Sequence, residues 1–155
     1  MSRKMKVISA CLVGCQCRYD GDDNLIREFQ EMVEKGEAVF VCPEQLGGLS
    51  TPRPPAQIVG GTGEDVLDGK AKVVTDQGED VTAEFVKGAE QALKMAQLVG
   101  AQEAILKERS PSCGSSVIYD GSFSGAKMPG DGVTSALLRR HGIAVYSEET
   151  FGKDR

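Results

Sequence analysis

Four short apolar runs, "KVISACL", "AVFVC", "EAIL" and "IAVYS", constrain this chain most. Each is continuously apolar, as strands buried on both faces of a parallel sheet are. Helical periodicity fills the gaps between them. "NLIREFQEMVEKG" places Leu25, Ile26, Phe29, Met32 and Val33 on one face, with Asp22, Asp23 or Asn24 to cap its start and Gly36 to end it. Thr82 is expected to cap a second helix whose core face is Phe85, Val86, Ala89, Ala92, Leu93, Ala96 and Val99, with Gly100 at its end. "VTSALLRRHG" predicts a last helix. Strands alternating with helices predict an α/β fold, one domain over residues 1–155 with a doubly wound, mostly parallel sheet of Rossmann or flavodoxin type. "AKVVTDQGEDVT" alternates around a turn and predicts a small hairpin or edge strand. Two stretches rich in Pro, Gly and Ser, "PEQLGGLSTPRPPAQIVGGTGEDVLDG" and "KERSPSCGSSVIYDGSFSGAKMPGDG", are expected to be long loops following strands, and loops of that length usually carry function.

Ligands of doubly wound sheets bind beyond the carboxyl ends of the strands. Cys11, Cys42 and Cys113 all follow such ends, the last by a few residues. Far apart in sequence, they can therefore converge on one rim. Cys15 and Cys17 lie close behind Cys11.

Charge and length exclude several classes. The 155 residues carry a net charge of −5, which is no footprint for long nucleic acid but leaves room for a nucleotide, whose phosphate needs only one or two cations. No apolar run approaches the roughly 20 residues needed to span a bilayer, so no membrane partner is expected. "MSRKMKVISA" lacks the apolar core of a signal peptide, so a cytoplasmic location is expected. In that reducing setting the five cysteines would stay as thiols or bind metal. The single histidine, His141, sits at a predicted helix end, where its positive form suits the helix dipole. Sites built on several histidines are therefore excluded.

Several chemistries fit thiols. Simple packing suits Cys15 or Cys17, because free cysteine is often buried. A cysteine-dependent phosphatase needs five residues between nucleophile and arginine to wrap an oxyanion. Six separate Cys11 from Arg18, and the chain has no Asp-Pro pair for a general acid. Cys11, Cys15 and Cys17 form C-x3-C-x-C, one residue short of the C-x3-C-x2-C of radical enzymes that use S-adenosylmethionine. A structural zinc site wants close pairs of ligands, and Cys15–Cys17 is too tight for one. An iron–sulfur cluster on Cys11, Cys42 and Cys113 is the fifth reading. Three ligands on four irons leave one iron open to act as a Lewis acid.

"SACLVGCQCRYDG", "VCPEQLGGLSTPRPPAQI" and "LKERSPSCG" together resemble the thiouracil desulfidase family, and "GEDVTAEFVKGAEQAL" and "GDGVTSALLRRHGIAVYSEE" extend the similarity over nearly the whole chain. The resemblance implies a 4Fe–4S cluster with Cys11, Cys42 and Cys113 as ligands. It implies removal of sulfur, without net redox chemistry, from a small thiolated pyrimidine: thiouracil, 4-thiouridine or its monophosphate. Glu44, two residues after Cys42, becomes the candidate proton shuttle. Ser110 and Ser112, flanking Pro111, become candidates for holding the pyrimidine or the attacking water. Lys107, Arg109 and Arg53 are the cations that could meet a phosphate. The competing reading from a different class is a carrier that passes cluster or persulfide sulfur to a partner.

Overall fold

In the computed structural model, which describes residues 5–152, the elements run in chain order as follows. They are β1 (Lys6–Ser9), a 3-10 turn (Ala10–Val13), α1 (Arg27–Glu34), β2 (Ala38–Val41), α2 (Pro43–Leu46), β3 (Ala56–Val59), α3 (Gly63–Leu67), β4 (Lys72–Thr75), α4 (Thr82–Leu98), β5 (Glu103–Leu106), β6 (Val117–Tyr119), β7 (Lys127–Pro129), α5 (Val133–Arg140) and β8 (Ala144–Ser147). The charged N-terminal residues 1–4, part of the signal-peptide argument, lie outside the described residues. Among the described residues no helix is long and apolar enough to cross a membrane.

The four apolar runs become one parallel sheet in the order β2-β1-β5-β8. Val7 pairs with Val39 on one side and Ala104 on the other, and Ile105 pairs with Tyr146. Side chains alternate across the pleat. Val7, Ala104 and Leu106 pack with Ala92 and Ala96 of α4 and Leu138 of α5, while Ile8 and Ile105 pack with Phe29 of α1. Helices thus cover both faces, which is the doubly wound arrangement. The chain winds outward from β1 to β2 and then returns to the other side of β1 with β5. That reversal is the topological switch point, where such sheets open a crevice. Ser9, at the end of β1, accepts the Lys107 N–H at 2.9 Å and ties the two strand ends together there.

The two expected loops hold more structure than their composition indicates. The first contains α2, β3 and α3, and the second contains the antiparallel pair β6–β7. These elements have three to five residues between glycines and prolines, too short for periodicity to register. β4 pairs antiparallel with β3 rather than only folding back within "AKVVTDQGEDVT", where a single bridge joins Val74 and Asp80. Ile58, Val73 and Ile118 from these pieces form a second core with Phe85 of α4 and Val133 of α5.

Two helix starts also differ from expectation. α1 begins at Arg27 with Ile26 at its cap position and no side-chain cap, and Leu25 is exposed. The residues expected to cap it are used elsewhere. The Asn24 and Ile26 N–H groups bond the carbonyls of Cys11 and Leu12, so this segment is stitched to the 3-10 turn. Thr82 is the first residue of α4, not its cap, and its hydroxyl accepts the Val73 N–H.

α2 rests on α4 through two glycines. A Cβ added to Gly88 would overlap the Pro43 carbonyl, and one on Gly47 would overlap the Glu84 carbonyl. Alanine normally improves on glycine in a helix by about 0.8–1.0 kcal/mol. Here overpacking against backbone outweighs that gain, so Gly88→Ala is expected to destabilise by roughly 1–3 kcal/mol. The check is a lower urea midpoint at unchanged m-value; parental stability would mean that α2 does not rest this closely on α4.

Candidate active site at the carboxyl ends of the strands

A cavity of about 710 Å³ opens beyond the ends of β1, β2 and β5, and Cys11, Cys17, Cys42, Cys113, Glu44 and Ser110 line it. Cys11 lies in the 3-10 turn that follows β1, which closes on Gly14 in the left-handed region at φ 101°. The Asn24 side-chain amide donates to Cys11 Sγ at 3.4 Å. Burial pushes the Cys11 thiol up to about 11, with the Asn24 bond acting in the other direction. Cys42 follows β2 directly and stands at the cap position of α2, where its carbonyl accepts the Leu46 N–H. Its sulfur lies 3.9 Å from Glu44 Oε1 and 3.9 Å from the Cys17 carbonyl. A hydrogen bond between the Cys17 and Cys42 thiols pulls the Cys42 pKa down and pushes that of Cys17 up.

Cys113 arrives on the loop after β5. Ser110 Oγ accepts the N–H groups of Ser112 and Cys113, both at 3.1 Å, and this turn delivers the Cys113 thiol to the cavity. The thiol is 3% exposed, and its burial raises its pKa well above the usual value. Cys11, Cys42 and Cys113 thus share one rim, as their places after the ends of β1, β2 and β5 predict. Cys17 joins them, whereas Cys15 is half-buried and does not line the cavity.

Among the described residues no three His, Cys, Asp or Glu side chains come close enough to hold a single metal ion. The thiols surround a space instead of converging on a point. A soft-donor set spread in this way fits a polynuclear iron–sulfur group and does not fit a tetrahedral zinc site.

Glu44 and Ser110 meet across the cavity wall. The Ser110 hydroxyl donates to Glu44 Oε2 at 3.4 Å, and Arg53 Nη2 approaches the same oxygen at 3.7 Å. This pair is largely buried, with Arg53 8% and Glu44 14% exposed. Arg53 also donates to the carbonyls of Cys17 and Ser50 and to Thr51 Oγ1, so it braces the pocket wall while lining it. Lys107 and Arg109 line the cavity too, each engaged with a glutamate. Lys107 Nζ pairs with Glu148 at 3.0 Å and Arg109 Nη2 with Glu149 at 2.8 Å. Ser112 is placed differently. It is fully buried behind the wall, its hydroxyl bonded to that of Thr134 at 2.7 Å, and it does not line the cavity. His141 stands exposed at the C-terminal cap position of α5 and does not line the cavity.

Glu108 is the residue that sequence reasoning missed. It is a fully buried carboxylate on the cavity wall, and its only sequence signal is an acid standing before a serine-rich loop.

Comparison with known proteins agrees with this geometry. The chain is 53% identical over 144 residues to the uncharacterized protein YbbK of Bacillus subtilis strain 168, an alignment covering 93% of this chain and 95% of the relative. It is similar to the solved structure of the 4Fe–4S-dependent thiouracil desulfidase TudS, at TM-score 0.85 and 47% identity, over 98% of this chain and 95% of that one. Residues 7–150 match the 2-thiouracil desulfurase family. The match runs from β1 to the turn after β8 and takes in all three cysteine-bearing loops, and the chain therefore belongs to the 2-thiouracil desulfurase family.

Proposed function

We propose that the chain is a non-redox desulfidase that exchanges the sulfur of a thiolated uracil compound for oxygen and releases hydrogen sulfide. Thiouracil, 4-thiouridine and its monophosphate are the candidate substrates. A 4Fe–4S cluster held by Cys11, Cys42 and Cys113 is part of the proposal. The observation that carries it is the convergence of these three thiols on one cavity whose wall holds Glu44 and Ser110. The TudS structure, of a 4Fe–4S-dependent thiouracil desulfidase, supports the same assignment.

A cluster with three protein ligands supplies an open iron, a Lewis acid with affinity for sulfur. The chain's own groups then handle water and protons. Glu44 takes a proton from the water that adds to the thiocarbonyl carbon and returns one to the departing sulfur. Ser110, bonded to Glu44 Oε2, orients that carboxylate and the water. Arg53 holds the carboxylate against the wall. Lys107 and Arg109 at the rim are the groups that would meet an anionic substituent, exchanging a glutamate partner for it. Ser112 acts only by fixing the loop that carries Cys113. Water in and hydrogen sulfide out leave the electron count unchanged.

The test is anaerobically prepared protein supplied with 2-thiouracil and with 4-thiouridine monophosphate. Iron and acid-labile sulfide should be present in near-equal amounts, and sulfide should be released over many turnovers without a reductant. Arrest after one sulfur per chain would favour the carrier reading, and a need for one electron donor per turnover would remove the non-redox mechanism.

A further inference from the structure

The loop that presents Ser110 and Cys113 is built around a buried anion. Glu108 is 2% exposed, at the end of the segment leaving β5. Its Oε1 accepts four backbone N–H groups, from Arg109 at 3.3 Å, Ser115 at 3.0 Å, Ser116 at 3.2 Å and Val117 at 3.1 Å. Its Oε2 accepts the hydroxyls of Ser115 at 3.3 Å and Ser116 at 2.9 Å. Every one of these donors is neutral. Lys107, the adjacent cation, bonds the Glu108 carbonyl and Glu148. Burial opposes the charge, yet the donors from Val117, Ser116 and Ser115 outweigh it and hold the carboxyl at about 2. A carboxylate buried without a cation needs such a shell of donors.

The shell forces the loop's shape. Arg109 adopts φ 69°, the left-handed region that a side chain disfavours. There its N–H reaches Glu108 while its guanidinium turns to Glu149 at the surface. The chain then passes through Ser110, Pro111, Ser112 and Cys113 and returns to the same carboxylate at Ser115. The other side of the loop is fixed to α5, through Ser135 Oγ on the Cys113 carbonyl at 2.8 Å and Arg139 on the Ser115 carbonyl at 2.9 Å.

We propose that Glu108 is a positioning residue of the active site, an internal anion around which the loop 109–117 closes so that Cys113 and Ser110 face the cavity. Its carboxylate bonds backbone N–H groups and serine hydroxyls and not a thiol, and it acts through the backbone it gathers. Its consequence for catalysis rests on the reading above, in which Cys113 is a cluster ligand. Its consequence for the loop does not.

The test uses reduced, iron-free protein and reads iodoacetamide alkylation of each cysteine by mass spectrometry. Glu108→Leu leaves the gathered N–H groups without an acceptor. Cys113 should then be alkylated at least about tenfold faster than in the parent through local opening, while Cys11 and Cys17 keep their parental rates. Glu108→Gln, whose carbonyl can still accept the N–H groups without a charge, should fall between the two. Should Glu108→Leu fail to fold, Glu108→Gln decides by the same comparison. Parental protection of Cys113 would mean that the α5 anchors suffice, and an equal rise at Cys17 would mean that the substitution loosens the whole fold; either overturns the proposal. Reconstituted anaerobically, the variants should take up less iron than the parent. A parent that takes up none would sink the cluster reading and leave the alkylation result to judge the anchor.

Discussion

Cys42→Ser is expected to lose the brown colour of anaerobic protein, nearly all of its iron and all of its turnover. Cys11→Ser and Cys113→Ser should behave alike. The expectation is a large one because serine offers a hard, protonated oxygen where soft iron in a sulfide cluster wants a thiolate. Each substitution removes one of the three proposed ligands, and the remaining thiol of the cavity, Cys17, is not one of them. Cys15→Ser should leave most of the iron, because Cys15 does not line the cavity. Cys17→Ser should also leave most of it. Its thiol does line the cavity and interacts with that of Cys42, so this variant perturbs a proposed ligand without removing one. Iron and sulfide analysis of the five variants decides the assignment. Bleaching by Cys15→Ser together with retained colour in Cys42→Ser would reverse it.

This prediction was open to sequence reasoning because of how the sheet is written. A strand buried on both faces reads as a continuous apolar run, so β1, β2, β5 and β8 stand out, and their ends can be located. Whatever follows those ends shares a rim by topology alone, which brings Cys11, Cys42 and Cys113 together without any knowledge of contacts. Glu44 follows because only Pro43, the first residue of α2, separates it from Cys42. The shorter elements carry no such signature. β3 and β4 depend on each other, and "AQIV" beside Pro55 and Gly60 shows nothing of its partner Lys72–Thr75, against which Ala56 pairs with Thr75 and Val59 with Lys72. Polar side chains are less legible still. Ser110 and Ser112 look equivalent around Pro111, yet one faces Glu44 and the other Thr134, a choice made by α5. Arg53 reads as a spare cation until Glu44 and three acceptors are placed around it. Glu108 reads as a surface charge, because the shell that makes its burial tolerable comes from residues seven to nine positions away.

Glu44→Gln is expected to keep the iron and lose at least about 100-fold in turnover, the low end of what general acid–base catalysis contributes. The substitution preserves shape. An amide can still accept the Ser110 hydroxyl where Oε2 now lies at 3.4 Å, and it leaves the Cys42 thiol in place. What it cannot do is take a proton from water and give one to sulfide. One confounding effect has to be separated from this. Glu44 is the charge partner of Arg53, and removing one member of a largely buried pair leaves the other uncompensated, which is itself strongly destabilising. Arg53 has three neutral acceptors to fall back on, so the variant should fold, with a lower urea midpoint than the parent. The double variant Glu44→Gln, Arg53→Met separates the two effects. If the lost turnover came from a stranded guanidinium, removing that cation restores activity. If it came from the missing proton shuttle, the double variant recovers stability and stays as slow as Glu44→Gln alone. The second outcome is the one expected, and near-parental turnover in Glu44→Gln with its iron intact would pass the role to a water held by Ser110.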